Sequence, residues 1–118
     1  MSFSRRLFVG SAVCFAGSGT ALAHHGWSGF DSGQVLRIAG RIAGMTYENP
    51  HGLLRLRTEG GEWTVELAPP SRMRARGLEP EAMADGVEAT LEGYPHRATA
   101  RLMRAERIVI AGRTTELR

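Results

Sequence analysis

Period-two alternation, repeated in five or six short runs and interrupted once by a helical segment, most restricts the fold of this chain. Leu53 to Thr58 (LLRLRT) places Leu54 and Leu56 on one face and Arg55 and Arg57 on the other, and Trp63 to Leu67 (WTVEL) sets Trp63, Val65 and Leu67 inward. Between these runs, Glu59-Gly60-Gly61-Glu62 reads as a tight hairpin connection. Val87 to Tyr94 alternates Val87, Ala89, Leu91 and Gly93 against Glu88, Thr90 and Glu92; Leu102 to Ile110 is a further strand, and Thr114 to Leu117 can pair at an edge. Ahead of them all, Val35 to Tyr47 is long for a strand. Its internal Gly40 and Gly44 suit a bulge or bend. Glu48-Asn49-Pro50-His51-Gly52 is a turn, because proline cannot donate to a ladder.

The helical interruption falls between the third and fourth strands. Pro69-Pro70 ends the third strand, Ser71 is placed to cap a short helix, SRMRAR, and Gly77 to close it; Leu78 to Met83 adds another turn. Three strands, a short helix and two or three further strands, the first one curved, describe an all-β domain with one short helix: a small OB-fold-like β-barrel. Another small barrel or sandwich with an incidental helical turn is the competing architecture.

The domain is expected to span residues 35–118, preceded by a Gly- and Ser-rich N-terminal arm, 24–34, with Trp27 and Phe30 as anchors. Residues 1–23 read as a cleavable signal peptide. Arg5 and Arg6 supply its positive region, Leu7 to Ala16 its apolar run, and Ala21-Leu22-Ala23 the small-x-small cleavage pattern. Ser4-Arg5-Arg6-Leu7-Phe8 resembles the twin-arginine export motif, though an ordinary secretory signal fits as well. The expected location is the periplasm. Cys14 would leave with the signal, so the mature chain has no thiol, and any metal site in it must use nitrogen, oxygen or Met sulfur. Removing Arg5 and Arg6 leaves 13 of the 15 basic residues, all arginine, against 12 carboxylates, a net charge of only +1. So weak a balance argues against a nucleic-acid partner, which needs a strongly basic groove. The mature form is also expected to make no stable membrane insertion.

The chemistry-bearing residues are four histidines: His24, His25, His51 and His96. If cleavage follows Ala23, His24 becomes the N-terminal residue. Its amine and its own Nδ1 can then close a chelate ring on one metal ion. The amine's ordinary pKa, about 7.7–8.0, allows a metal to displace its proton at neutral pH. A third nitrogen completes a histidine brace, a donor set that suits copper and also admits zinc. His51 and His96 are the candidates, one in the connection between strands one and two and one in that between strands four and five, and each follows a proline that stiffens it. Asp31 and Glu48 lie near enough in sequence to orient an imidazole. Cleavage after Ala21 would instead start the chain at Leu22 and make a different chelate with His24 in third place.

Other features are less specific. Arg72, Arg74 and Arg76 form a basic run that reads as a solvated helix face balanced by Glu79 and Glu81, and Met45, Met73, Met83 and Met103 read as core fillers. There is no Cys nucleophile in the mature chain, no Gly-x-Ser-x-Gly, no phosphate loop and no His-Glu-x-x-His. An enzyme is not expected. Ala23-His24-His25-Gly26-Trp27-Ser28, Asn49-Pro50-His51, Pro70-Ser71-Arg72-Met73 with Gly77-Leu78, and Gly93-Tyr94-Pro95 resemble a family of small secreted bacterial proteins known only as a domain of unknown function. The resemblance implies export and one compact β-domain. The leading functional expectation is a periplasmic metal-binding carrier or buffer, with copper as the expected cargo, that meets a periplasmic protein partner. The alternative is a metal-free OB-fold module for a protein or glycan.

Overall fold

The computed structural model describes residues 26–118; the signal-peptide expectation and His24 and His25 lie outside the described residues. Six strands, β1 (Leu36–Thr46), β2 (Leu53–Thr58), β3 (Gly61–Glu66), β4 (Glu88–Pro95), β5 (Leu102–Ile110) and β6 (Arg113–Glu116), lie in the order β3-β2-β1-β4-β5-β6. A short parallel pairing of Thr64–Glu66 in β3 with Leu102–Arg104 in β5 closes the first five strands into a barrel. The expected OB-fold-like barrel is what forms.

The closure depends on β1. Its first half, Leu36 to Arg41, pairs with β4, and its second half, Arg41 to Thr46, pairs with β2, with a register shift between Ile42 and Gly44. A strand serving two neighbours in this way has to bend, and at Gly40 the bend brings the Arg57 carbonyl oxygen to where a Cβ would sit. Glycine is required there by close approach.

The alternating apolar residues converge as the pattern predicts. Leu54, Leu56, Val65, Leu67, Leu91, Met103 and Ile108 are buried, and Trp63 packs against them half-buried. Helix α1 (Pro70–Ala75) and a 3-10 turn, Pro80–Met83, add Met73, Leu78 and Met83 to this core. The cap differs from expectation. Pro69, not Ser71, holds the N-cap position, without a side-chain cap, and its carbonyl accepts from the amides of Arg72 and Met73. Proline at the first helical position already has the helical φ and lacks the amide that would need capping, so Ser71 is taken into the helix and points outward. Gly77 closes the helix at φ 82°. Among the described residues no helix is long and apolar enough to cross a membrane.

The helix arginines have structural tasks. Arg72 donates to the Leu117 carbonyl (3.1 Å), and Arg76 to the carbonyls of Glu116 (2.8 Å) and Arg118 (3.0 Å), while Arg74 sits 5.2 Å over the Tyr47 ring. The edge strand β6 and the chain after it are thereby fastened to α1, which blunts an open edge.

The β5–β6 connection offers a stability test. Ala111 and Gly112 form a two-residue turn with φ of 51° and 78°. A type I′ turn needs that sign at both positions, and alanine resists it. Ala111→Asn should raise stability by about 0.5–1 kcal/mol, read as a higher denaturation midpoint with unchanged denaturant slope. An unchanged or lower midpoint would show that Ala111 carries no strain.

Candidate functional site

The arm is held across the barrel mouth by backbone and ring contacts. Phe30 bridges to His96, the Asp31 amide donates to the Pro95 carbonyl (2.8 Å), and the Arg97 amide donates to the Gly29 carbonyl (2.9 Å). Phe30 is buried with its ring edge-on to His96 at 5.0 Å, and Trp27 meets Tyr94 edge-on at 6.0 Å. Two guanidiniums lie against the Trp27 ring: Arg104 at 4.7 Å and Arg118, the last residue, at 4.4 Å. Such cation–π contacts fix an aromatic side chain without burying it. The anchoring roles expected for Trp27 and Phe30 are therefore the ones they take.

This seating brings the start of the described chain to His51. Gly26 and Trp27 share an open groove of about 480 Å³ with Pro50, His51, Arg72 and Arg104. Gly26 lies so close to Arg104 that a Cβ there would touch the guanidinium, and its φ of 46° favours glycine besides.

His51 is partly buried. Its Nδ1 stands 3.3 Å from the Gly52 carbonyl, and its Nε2 stands 3.5 Å from Glu66 Oε1. Both neighbours are acceptors, so either ring nitrogen can donate to the group it faces. The same Glu66 oxygen accepts from Arg104 Nη1 at 3.2 Å. Burial pulls the Arg104 guanidinium below its ordinary pKa, with Arg72 and Arg118 adding to the effect and Glu66 opposing it.

His96 is differently employed. Its Nδ1 accepts from the amides of Ala98 (3.1 Å) and Thr99 (2.9 Å), which puts the proton on Nε2. Nε2 in turn lies against Gly29, where a Cβ would be 3.1 Å away. The two loop histidines thus differ in their surroundings: His51 faces two acceptors at the groove, and His96 shapes a turn. Among the described residues no three His, Cys, Asp or Glu side chains group as a metal site. Asp31 accepts from the Gly33 amide (3.0 Å) and from Gln34 (3.2 Å), contacts that hold its carboxyl below the usual range. Its hydrogen bonds are within the arm and its ion-pair contact is with Arg97 at 4.0 Å; the carboxylate beside an imidazole is Glu66, not Asp31 or Glu48.

The sequence by itself does not point to Glu66 and Arg104. They are register partners in the parallel β3–β5 pairing. Nothing local in the chain signals a contact between residues 38 positions apart.

The sequence profile of a family of unknown function (DUF6152) matches residues 12–104. No curated protein matches the chain. A solved complex of TiaS with an isoleucine tRNA and ATP contains a similar fold: 18% identity, TM-score 0.52, covering 75% of this chain and 19% of that one. Apo TiaS, described as a tRNA agmatidine synthetase, aligns at 16% identity and TM-score 0.48, over 68% of this chain and 18% of its own. The chain thus spans about a fifth of the length of these structures, and the likeness to the first is one of fold.

Proposed function

We propose that this chain, which belongs to the DUF6152 family of unknown function, is an exported periplasmic metal-binding protein that holds copper as a carrier or buffer rather than as an enzyme. The observation that carries the reading is that Gly26, the residue following His25, lines the same groove as His51. Consecutive Cα atoms are about 3.8 Å apart, so a ligand one or two residues before Gly26 need span only a short distance to this groove, which is what the reading requires of His25 and His24. His24 would supply amine and imidazole, and His51 Nε2 the facing nitrogen, with His25 as a substitute. Glu66 Oε1, 3.5 Å from Nε2, has roughly the spacing of neighbouring donors around one ion. A nitrogen-rich set of this kind favours Cu(II), with Zn(II) as the competitor.

His96 has a different part in this reading. With Nδ1 committed to two amides, it holds the loop onto which the arm is bridged, and so positions the arm instead of binding the ion.

The test is a Cu(II) titration followed by electron paramagnetic resonance, on protein beginning at His24 and on protein with one extra leading glycine. One-to-one binding with a nitrogen-rich signal, weakened about tenfold or more by the glycine, is expected, because the added residue takes the amine out of the chelate ring. Weak and identical behaviour in both would sink the copper reading and leave the metal-free module for a protein or glycan partner.

A further inference from the structure

We propose that the groove beside His51 binds a small oxyanion, a carboxylate or phosphate group, with Arg72 and Arg104 as its recognition groups. Charge balance in the groove favours such a ligand whether or not a metal is bound. The Arg104 side chain is only 9% exposed. Its Nη1 is engaged by Glu66, its Nε is buried without an acceptor, and its Nη2 has no hydrogen bond among the described residues. Arg72 has only a carbonyl, that of Leu117, as acceptor, and no carboxylate within ion-pair distance among the described residues. The nearby Arg118 is neutralised by Glu106 at 2.8 Å. Two guanidiniums therefore line one groove while only Arg104 has a carboxylate partner, Glu66, which leaves Arg72 without one among the described residues.

The surroundings make that charge matter. Trp27, Pro50 and Pro69 form apolar walls of the groove, and charge in such a setting is screened less than on open surface. A largely buried guanidinium with free donors is the side chain whose planar fork best matches carboxylate and phosphate oxygens. An anion seated there would take up the Nη2 donor of Arg104 and satisfy Arg72 together. If a divalent cation also binds at His51, the same anion offsets its charge.

The experiment uses metal-stripped protein, dialysed free of chelator, and titrates inorganic phosphate and succinate separately while amide and indole resonances are followed. Saturable shifts confined to Gly26, Trp27 and His51 are expected with at least one of the two, and which one saturates names the source of the oxyanion. Arg72→Gln should weaken binding by about tenfold or more, since one charge-assisted contact is lost. Arg37→Gln, on the far ion-pair ladder with Glu92, should leave it unchanged. Linear, unsaturated shifts with both anions, or equal behaviour of the two variants, would overturn the proposal. Should Arg72→Gln fail to fold, the wild-type titration decides alone: localised saturation upholds the site and diffuse or absent shifts reject it. Because no metal is present, this outcome is separate from that of the copper titration.

Discussion

Replacing His51 by alanine should lower Cu(II) affinity at least tenfold while leaving the thermal midpoint of the metal-free protein within about 2 °C of wild type. The first half follows from the proposed copper site. In that reading His51 supplies a ligand nitrogen from the groove that Gly26 also lines, and losing a metal-ligand nitrogen costs no less than the roughly 10–100-fold typical of outer partners. The second half follows from its contacts, which are long: 3.3 Å to a carbonyl and 3.5 Å to a carboxylate that keeps Arg104 in any case. His96→Ala should do the reverse. Two turn amides would lose their acceptor, a cost of about 1–2 kcal/mol, and the edge contact with buried Phe30 would go with it. In a domain of this size that lowers the midpoint by roughly 5–15 °C, while copper affinity in the folded protein stays within about threefold. The pair of variants is informative together. Equal losses of affinity would mean that both loops bind the ion, and no loss from His51→Ala would remove the groove from the site altogether.

The barrel was legible in the sequence because its strands are amphipathic at period two. β2 and β5 have the limits that alternation predicts, and β1 lacks only Val35 and Tyr47 at its ends, where Val35 is 72% exposed. Local rules also placed Gly77 past the helix. They misplaced the cap, because Ser71 satisfies the same preference that Pro69-Pro70 meets by pre-set φ. The site divides along the same line. His51 and the anchoring aromatics are readable from turn chemistry and from an arm too apolar to float free. The role of His96 had a local signal too, since its ring accepts amides only two and three residues onward, a pattern of local side-chain-to-backbone bonding. Glu66 and Arg104 had none: in an alternating strand each reads as an outward charge. Only closure of the barrel makes them neighbours. The helix arginines likewise look solvated until β6 is known to lie beside α1.

Gly93→Ala carries the largest expected effect on the fold, and it reaches the groove as well. Gly93 pairs with Leu36 on one side and Ala105 on the other, next to the register shift after Glu92. A Cβ there would collide with the Arg104 carbonyl oxygen and stand 2.7 Å from Ala105 Cα. Both are backbone atoms of a strand pinned by β3 and β6 on its other edge, so no rotamer change relieves the clash. A cost of about 2–3 kcal/mol is expected, lowering the midpoint by about 10 °C or more. Gly60→Ala is the control. Its Cβ would meet only the Thr58 hydroxyl at 3.9 Å, and a shift within about 2 °C is expected. A wild-type midpoint for Gly93→Ala would show that β4 and β5 are not packed this closely. The direction of relief adds a second readout. If β5 moves outward at Arg104, the guanidinium leaves Glu66 and the Trp27 ring together, since both contacts are made from that one backbone position. Trp27 fluorescence in the folded variant should then change even below the transition, whereas a clash absorbed by β1 on the opposite side would lower stability and leave the indole signal as it is in wild type.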